Sequence, residues 1–123
     1  MGRTLGDRPE ERWTAARQHL AELGFATTVD YVAAMCELVL VETGLLPHTN
    51  VGLLSAREMA LLRGVSASQG LMLESTSPRL LERGGAHAGC ATKVPRLRLR
   101  TLERAGRLRI PFTTRLLLGI GEE

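Results

Sequence analysis

The sequence predicts an α/β protein in which parallel strands alternate with helices. Three observations support this fold class. Helix caps and glycine stops divide the chain into five helical segments, short apolar runs lie between them, and two of those runs show little polar alternation. Continuous apolar runs are typical of strands that are covered on both faces, and a helix between successive strands is the usual crossover in a parallel sheet. The order of elements favours a parallel α/β sheet or part of an α/β barrel.

Helix boundaries are indicated by capping residues at the starts and by glycines at the ends. Asp7 and Glu10 have the spacing of a capping box. Pro9 suits the first turn of the same helix, which is predicted to end at Gly24. Four further helices are predicted, from Thr27 with Asp30 to Gly44, from Ser55 with Glu58 to Gly64, from Ser77-Pro78 to Gly84-Gly85, and from Pro95 to Ala105 with Gly106 behind it.

The second predicted helix and the predicted strands supply the core. The apolar stripe of that helix consists of Val29, Val32, Ala33, Cys36, Val39 and Leu40. Residues 45–49, 70–74 and 110–118 are predicted strands, with none before the first helix. Because a closed α/β barrel needs about 200 residues or more, we expect residues 1–123 to form a single partial domain that lacks segments at both ends.

Composition and charge exclude several classes of function. The net charge is +3, a small surplus for a nucleic-acid-binding protein. Arg96, Arg100, Arg104 and Arg107 project from one side of the fifth predicted helix as a solvated face, without an aromatic platform for bases. RNA binding is therefore only the third hypothesis. No stretch is apolar enough to span a membrane, and no signal peptide is present, so a cytoplasmic location with no membrane partner is predicted.

Cysteine and histidine spacing predicts no metal site in this chain. Cys36 and Cys90 are too far apart for a CxxC pair, a four-cysteine zinc site or a self-contained iron–sulfur cluster. Cys36 is expected to be a packed thiol. His19 and His87 are expected at the surface.

Polar residues follow the predicted strands, at the edge where parallel α/β folds bind ligands. They are His48 and Asn50 at the end of the first strand, Glu74 and Ser77 at the end of the second, and Gly119, Gly121 and Glu122 at the end of the third. Asn50 and Ser77 are also ordinary turn and cap residues. Glu74 directly continues a buried apolar run, and a carboxylate there would accept hydrogen bonds from a ribose diol or an amine.

Arg98 is a further candidate, because it differs from the other arginines of its helix. It projects between Leu102 and Ala105 on the apolar side. A buried arginine needs an anionic partner, which either the protein or a ligand provides.

Several segments in order resemble one known family. They are Leu5-Gly6-Asp7-Arg8-Pro9-Glu10, residues 28–32 and 42–50, Gly70-Leu71-Met72-Leu73-Glu74-Ser75-Thr76-Ser77, and Arg98-Leu99-Arg100-Thr101-Leu102-Glu103 with Ile110-Pro111-Phe112-Thr113-Thr114 and Gly119-Ile120-Gly121-Glu122. The family is 7,8-didemethyl-8-hydroxy-5-deazariboflavin (FO) synthase, a radical S-adenosylmethionine (SAM) enzyme of coenzyme F-420 biosynthesis. The resemblance covers essentially the whole chain and corresponds to the ring-closing subunit, or to the N-terminal half of the fused enzyme.

The resemblance implies a fold, a reaction and cofactors. The fold would be a partial (βα)6 barrel with a [4Fe–4S] cluster on a CxxxCxxC loop and SAM beside it. The reaction would form the 8-hydroxy-5-deazaflavin ring, with loss of ammonia, from an adduct of tyrosine and 5-amino-6-ribitylaminouracil.

The resemblance also implies roles for residues of this chain. Gly6, Asp7, Pro9 and Glu10 would lie at the SAM amino group, Glu74 at the ribose hydroxyls, and Leu117, Gly119 and Glu122 beside the adenine. Arg98 would belong to the same SAM site, whereas His48 and Asn50 would face the substrate.

This chain departs from the family pattern in ways that affect activity. It has no CxxxCxxC motif, so we expect no metal ligand and no catalysis from this chain alone, and a missing half of the synthase on another chain. Arg115 replaces a family glycine within a predicted buried strand, where a charge is costly and would block the adenine site. The loop at residues 89–94 also differs from the usual acidic loop. The alternative is a non-catalytic helper, or the product of a decaying gene, that binds a partner through exposed sheet edges.

Overall fold

The computed structural model describes the backbone of residues 3–4 and all of residues 7–122. Its strands are β1 (Arg3–Thr4), β2 (His48–Asn50), β3 (Ser68–Gly70) and β4 (Phe112–Thr113). Its helices are α1 (Pro9–Arg12), α2 (Thr14–Glu22), α3 (Thr28–Thr43), α4 (Ala56–Arg63) and α5 (Pro95–Arg107). Two 3₁₀ turns, Pro78–Leu81 and Ala91–Lys93, lie between β3 and α5.

The four strands form one parallel sheet in the order β1-β2-β3-β4. His48 pairs with Ser68, and Gln69 pairs with Phe112. The α/β class with a parallel sheet is therefore confirmed. The prediction that no strand precedes the first helix is wrong, because β1 pairs with β2. The strand consists of two polar residues, Arg3 and Thr4, so it lacks the apolar pattern from which strands are predicted.

The apolar core lies on one face of this sheet. The buried core residues are Val29, Ala33, Val51, Leu54, Met59, Leu62, Ala105 and Ile110. Gln69 faces this core and donates a hydrogen bond from Nε2 to the Met59 carbonyl oxygen at 2.8 Å, while Phe112 packs against it. The opposite face carries the half-buried His48 and Ser68 and the exposed Thr113. Coverage of both faces was expected for the runs at residues 70–74 and 110–118. The first run is buried or half-buried, but residues 113–118 are exposed, so the expectation is wrong for the second run.

The helices that begin at Thr28 and Ala56 follow the predictions closely. The Thr27 hydroxyl accepts the Asp30 N–H at 3.1 Å, and α3 ends at Gly44 with φ 67°. Ser55 and Glu58 form both hydrogen bonds of a capping box at the start of α4. The apolar stripe of α3 is confirmed in part, because Val29, Ala33 and Cys36 are buried whereas Val39 is exposed.

The first predicted helix is divided and lacks the predicted cap. Trp13 is extended and separates α1 from α2. Arg8, with φ 45°, occupies the N-cap position, and no side chain caps α1. The capping box of Asp7 and Glu10 is therefore wrong. Pro9 occupies the first turn and Gly24, with φ 83°, follows the end of α2, as predicted.

The second half of the chain is less regular than predicted. The predicted helix at residues 77–85 is only a 3₁₀ turn. The fifth helix continues through Gly106 to Arg107. The predicted strand at residues 110–118 shortens to β4 and a single parallel bridge between Glu74 and Leu116. Arg115 is exposed, so the expected cost of its burial does not arise. Within the described residues, no helix is long and apolar enough to cross a membrane.

Candidate functional site

A cavity of about 280 Å³ opens where the chain leaves the carboxyl ends of the strands. Three parts of its wall follow β1, β2 and β3, and another part comes from the segment between residues 90 and 98. The lining residues are Asp7, Arg12, Asn50, Gly52, Leu71, Met72, Glu74, Cys90, Thr92, Lys93 and Arg98. Four residues predicted from the sequence, Asp7, Asn50, Glu74 and Arg98, therefore lie around one cavity.

The backbone of Glu74 is held between the segments that follow β3 and β4. Its N–H donates to the Arg115 carbonyl oxygen at 2.9 Å, and its own carbonyl oxygen accepts the Leu117 N–H at 2.7 Å. Glu74 has φ 65°, a left-handed conformation that is uncommon for a residue with a side chain. The surrounding hydrogen bonds maintain this conformation at the cavity wall.

The carboxylate of Glu74 contacts two basic side chains. Its Oε2 lies 2.5 Å from Lys93 Nζ and 2.9 Å from His87 Nε2. Partial burial opposes ionisation, but the hydrogen bond from Lys93 and the positive charges of Lys93, Arg98 and His87 lower the pKa of Glu74. Glu74 is therefore an ionised hydrogen-bond acceptor at neutral pH.

Asp7 places a second carboxylate in the cavity wall. Its Oδ1 accepts the Leu53 N–H at 3.1 Å, whereas its Oδ2 is buried and has no hydrogen-bond partner within the described residues. Gly52, with φ 84°, packs directly against this carboxylate, and a Cβ at that position would overlap it. A buried carboxylate oxygen without a partner is costly, so the cavity favours a ligand that brings a positively charged donor.

Arg98 is buried, at 5% exposure, as its position on the helix predicted. Its Nε donates to the Thr92 carbonyl oxygen at 3.0 Å, and its Nη1 donates to the Met72 carbonyl oxygen. No carboxylate lies within 4.0 Å of its guanidinium in the described part of the chain. The described residues thus supply neutral acceptors to the guanidinium, whose charge also acts on Glu74.

His48 and Asn50, the predicted substrate residues, occupy different positions. Asn50 lines the cavity at the end of β2. His48 begins β2, outside the cavity wall, and its Nδ1 lies 2.8 Å from Ser68 Oγ. The two residues are on the same face of the sheet because side chains alternate along a strand.

Other predicted residues of the SAM site lie outside the cavity wall. Glu10 is buried and accepts hydrogen bonds from the Thr28 N–H at 3.0 Å and the Thr28 hydroxyl at 2.6 Å. Pro9 lies in the first turn of α1. Gly6 is outside the described residues.

The residues predicted to lie beside adenine form a separate turn. The Glu122 carboxylate accepts the N–H groups of Gly119 and Ile120, each at 2.8 Å, and these backbone hydrogen bonds lower the pKa of Glu122. Leu117 is bound through its N–H to the backbone of Glu74. Leu117, Gly119 and Glu122 do not line the cavity.

Lys93 and His87 were not predicted as site residues. The expectation that His87 lies at the surface is wrong, since it is only 9% exposed, whereas His19 is exposed as predicted. Lys93 is the only lysine of the chain, but this fact does not predict where its side chain lies in the fold. Their contacts with Glu74 come from an irregular loop, for which sequence patterns predict no geometry.

The described residues do not fit an iron–sulfur cluster. Within them, no group of three or more His, Cys, Asp or Glu side chains could hold a metal ion. Cys36 is buried in the apolar stripe of α3, where burial raises the pKa of its thiol, and Cys90 lines the cavity. Both thiols are free.

Fold and cavity together define a segment of a parallel α/β protein with a polar cavity at the carboxyl ends of its strands. Comparison with curated proteins is more specific. The chain is 58% identical, over 97% of its length, to FO synthases of Mycobacterium leprae (strain TN) and Mycobacterium tuberculosis (strain ATCC 25618 / H37Rv). It is 53% identical over 97% of its length to 7,8-didemethyl-8-hydroxy-5-deazariboflavin synthase of Methanothermobacter thermautotrophicus.

The chain matches a segment of FO synthase, which confirms the resemblance seen in the sequence. It spans 14% of the length of the two mycobacterial proteins and 35% of the Methanothermobacter protein. No protein-family model matches the chain. No solved structure matches it either.

Proposed function

We propose that this chain provides part of the SAM site of a radical SAM FO synthase in coenzyme F-420 biosynthesis. The names of its relatives support the pathway. The main support for the proposed SAM site is the grouping of Asp7, Glu74 and Arg98 around one cavity. The whole enzyme would form the 8-hydroxy-5-deazaflavin ring from the tyrosine adduct of 5-amino-6-ribitylaminouracil.

The charges of the cavity are complementary to SAM. The molecule carries an ammonium, a carboxylate and a ribose diol, and in this family it supplies the group that abstracts hydrogen from the substrate. Asp7 Oδ2, which is buried and has no partner among the residues that the structure describes, would accept from the ammonium. The guanidinium of Arg98 would donate to the carboxylate, and the Glu74 carboxylate would accept from the diol.

We further propose that the rest of an FO synthase, on this chain's continuation or on another chain, supplies the cluster ligands. The chain by itself would then bind SAM without catalysing the reaction. The four parallel strands would continue into a partial (βα)6 barrel. Gly6, Pro9, Glu10, Leu117, Gly119 and Glu122 remain proposed SAM residues, and His48 and Asn50 remain proposed substrate residues. The two free thiols suit the cytoplasm, where we place the protein.

The test is SAM binding by isothermal titration calorimetry. Glu74→Gln removes the charge from the diol acceptor and is expected to weaken binding by about tenfold, the equivalent of one charged hydrogen bond. Glu103→Gln, at an exposed position of α5, is the matched control and should bind like the wild type. Failure of the wild-type chain to bind SAM, or equal binding by Glu74→Gln, contradicts the proposal.

A non-catalytic helper that binds a partner is the second candidate. It is favoured by apolar side chains at the surface, among them Val41, Leu45, Leu46 and Leu118, which are exposed by 66–80%. Contiguous exposed apolar surface often marks a protein interface. A helper would retain partner binding in Glu74→Gln, whereas Leu46→Gln would weaken it.

A further inference from the structure

Two basic side chains contact the same oxygen of Glu74. Lys93 ends the 3₁₀ turn Ala91–Lys93, and its backbone N–H is fixed by the Cys90 carbonyl oxygen at 3.0 Å. His87 is buried, and its N–H donates to the Leu80 carbonyl oxygen at 2.9 Å. The contacts to Oε2, at 2.5 Å from Lys93 and 2.9 Å from His87, therefore come from two anchored backbone positions.

The second oxygen of the same carboxylate differs from the first. Within the described residues, Oε1 of Glu74 makes no hydrogen bond, although the side chain lines the cavity. A carboxylate has two oxygens and about four acceptor positions. The contacts to Oε2 orient the group and leave Oε1 as the acceptor for a ligand.

We propose that Lys93 and His87 are positioning residues that fix the Glu74 carboxylate so that Oε1 recognises a vicinal diol in the cavity. This inference rests on the proposed SAM site and adds the groups that orient its diol acceptor. In this role both residues act through Glu74.

Selectivity for the diol distinguishes a positioning role of Lys93 and His87 from a purely structural one. The full chain is titrated with adenosine and with 2′,3′-dideoxyadenosine, and the ratio of the two affinities measures diol recognition. We expect a ratio of about ten for the wild type, one charge-assisted hydrogen bond, and about two for Lys93→Met. The affinity of Lys93→Met for the dideoxy compound should match that of the wild type.

Conservative and control variants sharpen the test. Lys93→Arg keeps a cation that reaches Oε2 and should retain most of the ratio. Arg96→Met removes a positive charge from an exposed position nearby and should leave the ratio unchanged. His87→Leu should lower the ratio, with circular dichroism to check its fold. Equal losses for both compounds in Lys93→Met, or an unchanged ratio, would overturn the inference.

A second measurement does not depend on ligand binding. If the wild-type chain binds neither compound, the proposed SAM site fails. The contact between Lys93 and Glu74 is then tested by the ¹³C titration of the Glu74 carboxyl. Since the Lys93 hydrogen bond and charge lower the pKa of Glu74, Lys93→Met should raise that pKa and Arg96→Met should not. An unchanged pKa in Lys93→Met contradicts the positioning contact.

Discussion

At the scale of single residues, Glu10 illustrates how a carboxylate acquires its role from a distant partner. It is buried, and both of its oxygens accept hydrogen bonds from Thr28, 18 residues further along the chain. The bonds satisfy the N–H and hydroxyl of Thr28 at the start of α3. Glu10 therefore joins α1 to α3 and does not cap its own helix.

The first prediction follows from this contact. Glu10→Ala leaves two buried polar groups of Thr28 without acceptors, so the free energy of unfolding should fall by about 1–3 kcal/mol. Urea denaturation measures the change. Glu11→Ala, an exposed neighbour whose ion pair with Arg8 is 3.5 Å long, should change stability by less than about 0.5 kcal/mol. A similar loss in both variants would contradict the assigned contact.

The second prediction concerns pH. Burial would raise the pKa values of Glu10 and Glu58, but hydrogen bonds from Thr28 and Ser55 and the charge of Arg8 lower them below the ordinary 4.5. The unfolded chain then binds protons more tightly, so this stabilisation is complete above about pH 4.5 and is lost as pH falls through the lower folded-state pKa values. Denaturation midpoints between pH 7 and pH 3 should show this decline.

A double variant provides the control for the pH prediction. Glu10→Gln with Glu58→Gln removes both titrations, so its unfolding free energy should vary less with pH over this range. If the double variant keeps the slope of the wild type, other carboxylates account for the acid sensitivity.

At the scale of elements, helices α3 and α4 form where the sequence places them because their caps are local. Ser55 and Glu58 exchange hydrogen bonds across three residues, with the Ser55 N–H donating to Glu58 Oε2 at 2.7 Å. Residues 77–85 have a similar beginning, yet the Ser77 side chain makes no capping hydrogen bond and the helix ends after one 3₁₀ turn. The segment with a complete cap thus forms the helix α4, whereas the segment without one forms only a 3₁₀ turn.

The third prediction tests the cap of α4. Ser55→Ala removes the acceptor of the Glu58 N–H and should lower the free energy of unfolding by about 0.5–2 kcal/mol, measured by urea denaturation. Ser55→Thr keeps a hydroxyl at the same position and should retain most of that stability. Equal losses in the two variants would show that packing, not the cap, is responsible.

At the scale of the whole molecule, a buried core coexists with apolar side chains that are exposed. Met59 and Leu62 are completely buried against α3 and the sheet, whereas Val41, Leu45 and Leu46 on or after α3 are exposed. The chain buries what its own elements can cover. The chain spans only part of the length of its relatives.

The fourth prediction compares two residues of α4. Met59 is 0% exposed, and Met59→Ala should lower the free energy of unfolding by about 2–5 kcal/mol, because it leaves a cavity in the core. Leu61 is 46% exposed on the same helix, and Leu61→Ala should cost less than about 0.5 kcal/mol. Thermal and urea unfolding measure both variants. Equal losses of unfolding free energy in Met59→Ala and Leu61→Ala would contradict the location of the core.

The fifth prediction concerns the exposed surface. Leu46→Gln replaces a side chain that is 76% exposed, so it should reduce self-association without lowering the unfolding temperature. Light scattering over a range of protein concentrations measures the effect. Unchanged scattering would mean that this surface does not drive association.

The sequence by itself determined the parallel α/β class, the bounds of α3 and α4, and the burial of Arg98. It also identified Asn50 and Glu74 at the strand ends, whereas Asp7 was a candidate only through the family resemblance. These features depend on residues a few positions apart, so spacing and residue type are enough to predict them. Helix caps and apolar periodicity are local properties of this kind.

Only the tertiary structure decided how the candidate site is held. The contact of Lys93 with Glu74 joins residues 19 positions apart, and the carbonyl oxygen that Arg98 reaches at Met72 is 26 positions away. Irregular loops bring these groups together, and no periodic pattern records where a loop folds back. The physical reason is that a side chain's charge partners depend on distance in space, which the order of residues does not specify.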